Sequence, residues 1–275
     1  MLDYAIVGAG FGGIAMARAL RRAGIDNFRV FEKAAAVGGT WRENHYPGAA
    51  CDVPSHLYSL ASAPNAAWTR LFPLQPEIQA HLQALGEELR ALGRIEFGWC
   101  LRAARWDADS HCWELSNARG ESVRARALVL ALGGLHVPAM PQIPGSELFA
   151  GDRFHSARWD YQVPLDGRRV AVIGSGASAI QLVPQIAPRV AHLSLFQRTP
   201  PWLLPRPDHA IPAFWQRLLA RLAVEREGAA RWALRDAAAQ AHRAKAGGES
   251  TGHGDGQRIV VGARRVEAGL GDGEG

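Results

Sequence analysis

The stretch DYAIVGAGFGGIAMARALRRAGIDNFRVFE, residues 3–32, decides the fold that we expect for this chain. Its apolar run at 3–7 predicts a short buried strand, and residues 14–23 predict a helix that ends at Gly24. Residues 28–32 predict a second strand. The glycines at the strand-to-helix turn make this a β-α-β unit of the kind that binds a dinucleotide.

The glycines of this turn follow the pattern GxGxxG at Gly8, Gly10 and Gly13. Gly8 permits the tight turn, Gly10 lets the backbone approach a pyrophosphate, and Gly13 lets the helix pack closely on the strand. A pyrophosphate is expected at the helix N-terminus, where free N–H groups point at it, and Phe11 belongs to the same expected site. The pattern alone is weak, but its position between a strand and a helix favours a dinucleotide site.

The second strand ends at Glu32, where a carboxylate accepts hydrogen bonds from ribose hydroxyls. Lys33 follows it, and we include both residues among the expected adenosine contacts. The first site is therefore expected to take a dinucleotide whose adenosine ribose carries no phosphate.

A second β-α-β unit begins with an expected strand at 168–173 and continues with a helix up to about residue 187 and a strand at 193–198. Its turn repeats the glycine pattern with alanine in the third position. The expected contacts of this turn are Gly174, Gly176, Ser178 and Ala179. The sequence thus contains the same architecture twice.

The two units differ where the strand after each helix ends. Glu32 and Arg198 each lie 24 residues after the first glycine of their turn, and aligning the phenylalanines of the two strands instead places Gln197 opposite Glu32. Either alignment removes the acid from the second site and adds a guanidinium, which binds a 2′-phosphate through charge-assisted hydrogen bonds. Thr199 adds a hydroxyl donor. These residues predict NADPH at the second site, although Arg198 as an ordinary surface residue is the alternative.

Two dinucleotide sites in one chain imply electron transfer between two cofactors. NADPH donates a hydride, so its partner in the first site should be a bound two-electron acceptor. FAD is the candidate that meets this requirement.

The remaining pattern supplies the rest of an α/β fold. Leucines and Ile78 recur at helical spacing between Pro76 and Gly93, which predicts a helix. Short alternating segments at 94–126 predict an antiparallel β-meander, and the apolar run at 127–132 predicts a buried parallel strand.

We expect a boundary in the proline-rich passage that ends near residue 145. This gives a FAD-binding domain at 1–145, an NADPH-binding domain at 146–245 and a glycine-rich, disordered tail at 246–275. The segment 212–245 predicts a basic amphipathic helix. Such a helix can lie on a membrane, but the packed helix with one solvated face is the favoured interpretation.

Composition narrows the class of protein. The chain has 275 residues, a net charge of +5 and 48% hydrophobic residues, as a globular protein has. Arginine is dispersed, so no nucleic-acid surface is expected. Three cysteines without CxxC spacing argue against disulfides and a metal site, and favour a reducing, cytoplasmic compartment. No signal peptide and no transmembrane segment are expected.

A family becomes recognisable between the two glycine turns. Residues 149–160, FAGDRFHSARWD, fit FxGxxxHxxxW(P/D) at every fixed position, which are Phe149, Gly151, His155, Trp159 and Asp160. This resembles the fingerprint of the Baeyer–Villiger type of flavin-dependent monooxygenases. The segments GGTWRENHYPGAACDVPSHLYSL (38–60) and FQRTPPW (196–202) also resemble that family. Related enzymes that oxidise nitrogen or sulfur usually end the fingerprint with a different aromatic residue.

The resemblance implies two Rossmann-like domains with parallel sheets and a small meander. It also implies a reaction in which NADPH reduces FAD, O2 adds to the flavin, and the flavin peroxide oxidises a ketone or a soft heteroatom in a sulfide or amine. By the same resemblance, Gly39, Thr40, Trp41 and Tyr58 contact FAD. Asp52 lies near the flavin and nicotinamide as the candidate catalytic residue, where it orients an arginine; the alternative is that Asp52 is a turn residue before Pro54.

His155 invites interpretation as a general base. The resemblance instead implies that the fingerprint couples cofactor binding to domain motion, with Trp159 as a packing anchor. Cys51 has no second cysteine nearby, unlike the redox pair of disulfide reductases.

Members of this family are longer, so we expect the C-terminal part of both domains, including the arginine that partners Asp52, to be missing. A chain of this length is expected to be uncoupled, yielding hydrogen peroxide, or inactive unless another chain completes it. A non-catalytic FAD- and NADP-binding remnant and an N- or S-oxygenating flavin monooxygenase are the alternatives.

Overall fold

The computed structural model describes residues 1–225 and the backbone of Val260–Arg264. These residues divide into two compact units. The first unit contains Met1–Glu43, Ala50–His136 and residues 206–225, and the second contains Asn44–Ala49, Val137–Pro205 and the strand at 260–264. The units divide at 136–137 rather than at residue 145, and residues 44–49 belong with the second unit.

The elements follow one another in a mixed α/β order. In chain order they are β1 (Leu2–Val7), α1 (Phe11–Arg22), β2 (Phe28–Glu32), α2 (Thr40–Glu43), α3 (Gln75–Ala91), β3 (Ile95–Phe97), β4 (Leu101–Asp107), β5 (Cys112–Asn117), β6 (Ser122–Leu130), β7 (Asp152–His155), β8 (Arg169–Ile173), α4 (Ala177–Ile186), β9 (His192–Phe196), α5 (Ala213–Glu225) and β10 (Val260–Arg264).

The first unit is built on a six-stranded sheet of order β3-β2-β1-β6-β5-β4. Strands β3, β2, β1 and β6 are parallel neighbours, and β6, β5 and β4 are antiparallel. The expected α/β class, with parallel strands and an antiparallel meander, is confirmed.

Two details of the expected meander are wrong. Residues 95–97 are not part of it, because β3 pairs in parallel with β2. The expected separate strand at 127–132 is the second half of β6, whose nine residues are long enough to pair first with β5 and then with β1. That half is also not fully buried, since Leu130 is 58% exposed.

Two helices form the core of the first unit with the strands. Helix α1 buries Ile14, Ala17 and Leu20, and α3 buries Ile78, Leu82 and Leu89 against the same cluster as Ile6 and Val30 of the sheet. These positions are three, four or seven residues apart, so each helix presents one apolar stripe. Pro76 lies in the first turn of α3, and Gly93 follows its end with φ 63°, as the sequence predicts.

The second unit is built on a four-stranded sheet of order β7-β10-β8-β9. Strands β8 and β9 are parallel, with α4 between them in the chain, and β10 pairs antiparallel with both β7 and β8. Val170 and Val172 pack with Leu182 and Ile186 of α4, so the second β-α-β unit is also present.

The expected disordered tail is wrong for residues 260–264, which form β10. Their sequence, VVGAR, begins with two valines, and β-branched residues favour strands. The other residues of 246–275 lie outside the described part of the chain. The same holds for the predicted helix beyond Glu225, whereas α5 covers its first part. None of the helices in the described ranges combines the length and apolar character needed to cross a membrane.

The packing of α3 predicts a contrast between two leucines at its end. Leu89 is fully buried, whereas Leu92, just after the helix, is 46% exposed. We expect Leu89→Ala to lower the free energy of unfolding by about 2–5 kcal/mol, because it removes buried methyl groups and leaves a cavity. Leu92→Ala should change it by less than about 0.5 kcal/mol. Urea unfolding followed by tryptophan fluorescence measures both, and equal losses would contradict the core described above.

Candidate functional site

The first glycine turn lies at the junction of β1 and α1, as the sequence predicts. Gly8 directly follows β1 with φ 104°, and its N–H donates to the Phe31 carbonyl oxygen at 2.8 Å. A Cβ on Gly8 would lie 2.3 Å from the Ala131 carbonyl oxygen, and a Cβ on Gly13 would lie 1.8 Å from the Gly8 carbonyl oxygen. Because both distances are far shorter than a van der Waals contact, the protein backbone itself requires glycine at these two positions.

Gly10 is different from the other two glycines. It is the N-cap of α1 with φ −82°, a value that any residue adopts. A Cβ added to it would make an ordinary contact of 3.6 Å with Gly39 Cα. No contact within the described chain therefore requires a glycine at position 10.

The turn forms one wall of a cavity of about 370 Å³ in the first unit. The other walls come from the end of β2, the Gly38–Arg42 segment, Tyr58 and the residues after β6. Of the residues predicted for the first site, the cavity is lined by Gly8, Gly10, Phe11, Glu32, Lys33, Gly39, Thr40, Trp41 and Tyr58. Gly13 and Asp52 are not among the lining residues.

The Glu32 carboxylate is buried, with 4% of the residue exposed, and it stabilises the first glycine turn. Its Oε2 accepts the Ala9 N–H at 2.8 Å and its Oε1 accepts the Ala34 N–H at 2.9 Å. Arg42 Nη1 lies 3.5 Å from Oε1. An ionised carboxylate has about four acceptor positions, so it can hold the turn and still accept a hydroxyl. The sequence identified Glu32 but missed both its bond to Ala9 and the guanidinium of Arg42.

Three aromatic residues form a second wall of the cavity. Trp41 Nε1 donates to the Tyr58 hydroxyl oxygen at 2.9 Å, and the Phe11 and Tyr58 rings meet edge to face with centroids 5.1 Å apart. Burial raises the pKa of Tyr58, the Trp41 hydrogen bond opposes this, and the charges of Cys51 and Asp52 raise it further. Tyr58 is therefore a neutral phenol at physiological pH.

Asp52 lies on an exposed part of the loop that follows the buried Cys51. Its charge acts on Tyr58, so it lies close to the cavity wall. Arg206 Nη1 donates to the Cys51 carbonyl oxygen at 3.5 Å, which places a guanidinium one residue from Asp52. The sequence missed Arg206, because 154 positions separate it from Asp52 (206 − 52).

The second glycine turn repeats the first within the second unit. Gly174 follows β8 with φ 107°, and its N–H donates to the Phe196 carbonyl oxygen at 2.8 Å. Gly176 is the N-cap of α4, and Ala179 is buried in the first turn, where Ser178 is half-buried.

Strand β9 ends at Phe196, two residues before the predicted end of the strand. Arg198 and Thr199 therefore lie in the following bend, where both are exposed. A side chain in this position is accessible to a ligand, but no described contact fixes its orientation.

The fingerprint residues mostly have structural contacts within the second unit. His155 Nδ1 accepts the Ala157 N–H at 3.0 Å, and burial lowers the pKa of His155, with Arg158 adding to the effect. Trp159 is buried and meets the Phe154 ring edge to face. Asp160 Oδ1 accepts the Gln162 N–H at 2.9 Å. Phe149 is 43% exposed, and Gly151 lies in the bend just before β7.

The three thiols of the chain are free. Cys51 and Cys112 are buried and Cys100 is exposed. Burial raises the pKa of Cys51 to about 11, an effect that the Val53 N–H opposes and that Asp52 reinforces. Over residues 1–225, no group of three His, Cys, Asp or Glu side chains is placed to hold a metal ion.

Residues 2–271 match the family described as pyridine nucleotide-disulphide oxidoreductase, and the chain belongs to that family. Within it, the chain is similar to a Baeyer–Villiger monooxygenase of Pseudomonas aeruginosa, at 50% identity over 217 residues. That alignment covers 79% of this chain and 41% of the relative. The resemblance inferred from the fingerprint is thus confirmed, and the chain spans about two fifths of this relative's length.

Solved structures agree with this placement. A steroid monooxygenase bound to NADP superposes with a TM-score of 0.74 at 35% identity, covering 82% of this chain and 44% of that one. OTEMO in complex with FAD and NADP superposes with a TM-score of 0.74 at 31% identity, covering 82% of this chain and 44% of that one. The two glycine turns thus lie in a fold that other proteins use with these nucleotides.

The burial of Cys51 predicts its reactivity. We expect Cys100 to react with iodoacetamide rapidly and Cys51 slowly, because only the thiolate is nucleophilic. Since the pKa of Cys51 is raised to about 11, its alkylation rate should keep rising as the pH is raised towards that value. An ordinary thiol would level off just above its pKa of about 8.5. Peptide mass spectrometry measures each cysteine separately, and a plateau for Cys51 near pH 9 would contradict this environment.

Proposed function

We propose that this chain holds FAD in the first unit and NADPH in the second, as part of an NADPH-dependent flavin monooxygenase of the Baeyer–Villiger type. The observation that carries the proposal is the glycine turn between β1 and α1. The Ala9 N–H of this turn donates to the buried Glu32 carboxylate, which lines the cavity. The second turn, at β8 and α4, supports a second nucleotide in the same chain.

The first cavity fits a dinucleotide in three respects. Gly10 leaves room for ligand atoms at the N-terminus of α1, where unpaired N–H groups favour a pyrophosphate. Glu32 retains acceptor positions for ribose hydroxyls beside the two N–H groups that it already accepts. Trp41, Tyr58 and Phe11 supply an apolar wall for a flat ring system.

FAD, when bound, would supply a two-electron acceptor for the hydride of NADPH and a centre that can react with O2. The residues of the chain bind and orient it and limit the access of water. Tyr58 keeps its proton because its pKa is raised, so it presents a neutral wall to the cofactor. Asp52 contributes a negative charge next to that wall and remains the candidate catalytic residue.

Arg198, Thr199 and Lys33 complete the proposed nucleotide contacts. Arg198 and Thr199 lie in the exposed bend after β9. Gly8 and Gly174 donate to the carbonyl oxygens of Phe31 and Phe196, so Gln197 matches Glu32 of the first unit and Arg198 matches Lys33. A guanidinium there favours the 2′-phosphate of NADPH. The fingerprint residues from Phe149 to Asp160 are proposed to couple nucleotide binding to domain motion, and the contact of His155 with Ala157 supports a structural role for that histidine.

The substrate class that we propose is a ketone, with O2 as the second substrate. The identity of 50% to a named Baeyer–Villiger monooxygenase, together with Trp159 in the fingerprint, favours it over an amine or a sulfide. Incubation with NADPH, O2 and either a cyclic ketone or an aryl sulfide, followed by product analysis, tests this choice. We expect the lactone from the ketone, together with hydrogen peroxide. Sulfoxide alone would favour the N- or S-oxygenating class, and a colourless protein that oxidises no NADPH would leave the nucleotide-binding remnant.

The glycine turn gives a direct test of the flavin site. We expect Gly10→Ala to keep the melting temperature but to weaken FAD binding at least tenfold, because the methyl group occupies the space of the pyrophosphate. Gly12→Ala is the control, because the GxGxxG pattern leaves this position free and its Cβ would make only an ordinary contact of 3.6 Å with Ala131 Cβ. Quenching of flavin fluorescence measures both affinities. Equal affinities in the two variants would refute the assignment.

Arg198 gives the corresponding test for the second site. We expect Arg198→Ala to weaken NADPH binding by about 1.5–3 kcal/mol, the usual contribution of hydrogen bonds to a charged group. NADH lacks the 2′-phosphate, so its affinity should hardly change and serves as the internal control. Isothermal titration measures both nucleotides, and equal losses would remove Arg198 from the site.

A further inference from the structure

Residues 206–211 of the first unit lie alongside residues 69–73, which contact the loop Cys51–Ser55 that carries Asp52. We call Cys51–Ser55 the Asp52 loop. The Leu71 N–H donates to the His209 carbonyl oxygen at 3.0 Å, and the Ile211 N–H donates to the Thr69 carbonyl oxygen at 2.8 Å. Residues 206–211, which we call the return segment, are thereby joined to residues 69–73 through backbone hydrogen bonds.

Asp208 provides the side-chain contacts of the return segment. Its Oδ2 accepts Arg70 Nε at 2.9 Å and Arg70 Nη2 at 2.8 Å, and its Oδ1 accepts the Phe72 N–H at 3.2 Å. Only 13% of the side chain is exposed. Burial alone raises the pKa of Asp208, but the bonds from Arg70 and Phe72 bring it below its usual value. The carboxylate is thus ionised and holds three N–H groups.

Residues 69–73 in turn hold the loop that carries Asp52. The Cys51 N–H donates to the Pro73 carbonyl oxygen at 2.9 Å, and the Ser55 N–H donates to the Leu71 carbonyl oxygen at 2.7 Å. These two bonds fix the loop on both sides of Asp52.

Arg206 contacts both residues 69–73 and the Asp52 loop. Its guanidinium lies over the Phe72 ring, 5.5 Å from the centroid, and Nη1 donates to the Cys51 carbonyl oxygen at 3.5 Å. The return segment therefore reaches the Asp52 loop directly through Arg206 and indirectly through Asp208.

We propose that Arg70, Asp208 and Arg206 are positioning residues that hold the loop Cys51–Ser55, and with it Asp52, beside the flavin cavity. The part of this proposal that concerns the flavin rests on the function proposed above, whereas the part that concerns the loop does not. An exposed ion pair contributes little to such an arrangement. Asp208 differs because only 13% of its side chain is exposed, and its loss leaves the amide of the buried Phe72 without an acceptor and the Arg70 guanidinium without its partner.

The cysteines of the chain report on this loop without any cofactor. Cys51 lies in the loop and is 3% exposed, while Cys112 is fully buried in β5. Cys112 lies outside the contacts that Arg70, Asp208 and Arg206 make, which we call the clasp. One background, Cys100→Ser with Cys112→Ser, leaves Cys51 as the reporter. A second background, Cys100→Ser with Cys51→Ser, leaves Cys112.

The experiment compares alkylation rates in these backgrounds after Asp208→Asn, which keeps the size of the side chain but removes its charge. We expect the rate at Cys51 to rise about tenfold or more, because the loop opens locally, while Cys112 stays protected. Arg70→Gln should give the same pattern from the other side of the pair. Asp208→Glu restores the charge and should return most of the protection, which a requirement for side-chain size alone would not produce.

A matched control removes an Arg–Asp pair of the same kind elsewhere. Asp166 and Arg189 form two hydrogen bonds, at 2.8 Å and 3.0 Å, on the exposed surface of the second unit. Asp166→Asn should leave both thiols protected. The proposal is overturned if Cys51 stays protected in Asp208→Asn and Arg70→Gln, or if Cys51 and Cys112 become reactive together, since that indicates general unfolding.

FAD titration of the same proteins separates this proposal from the proposed function. If the unmodified chain binds FAD but Asp208→Asn leaves Cys51 protected, the clasp is wrong and the function stands. If no protein binds FAD but Cys51 opens only in the clasp variants, the clasp stands and the function fails. If the clasp and the proposed function are both correct, the absorption spectrum of bound FAD should shift in Asp208→Asn and should match that of the unmodified chain again in Asp208→Glu.

Discussion

The close approach of backbone atoms at the first glycine turn is the constraint on which the cavity depends. The turn lies against the chain that follows β6 and folds onto itself, so a methyl group on Gly8 or Gly13 would lie 2.3 Å or 1.8 Å from a carbonyl oxygen, well inside van der Waals contact. Strand β6 must therefore end where it does for the turn to form. The same strand pairs with β5 of the meander, so the meander helps to set the position of the first glycine turn.

The second turn shows that this solution is not an accident of one site. Gly174 has nearly the φ of Gly8, 107° against 104°, and each turn donates an N–H to the carbonyl of a phenylalanine in the neighbouring strand at 2.8 Å. What differs is the residue that follows. In the first unit the strand ends on a buried acid, and in the second the chain leaves the sheet before it reaches an exposed arginine. In the proposed function, the different side chains on this shared backbone select different nucleotides.

Much of this arrangement could be predicted from the sequence, because it is local. The strands, turns and helices of both β-α-β units depend on spacings of a few residues, and Pro76 and Gly93 bracket α3 as their chemistry requires. Long-range pairing could not be predicted in the same way. Nothing in residues 94–97 says that they pair with β2 rather than with β4, and nothing near Arg70 indicates that its partner lies 138 residues later. The sequence does not predict the strand at 260–264, because the glycine-rich composition around it indicates disorder although its two valines favour a sheet.

Glu32 has one more consequence, which follows from its bonds to Ala9 and Ala34. The carboxylate is already desolvated and oriented by the fold, so a ligand meets a preorganised acceptor and loses little affinity to its ordering. Because Glu32 also holds the turn, few residues can replace it. A shorter aspartate or a neutral residue would loosen the turn as well as the proposed sugar contact, so a single change at this position that alters the ligand also disturbs the turn. Arg198 and Thr199 in the bend after β9 are exposed, so substitutions there can alter the proposed contact with a 2′-phosphate without disturbing the fold.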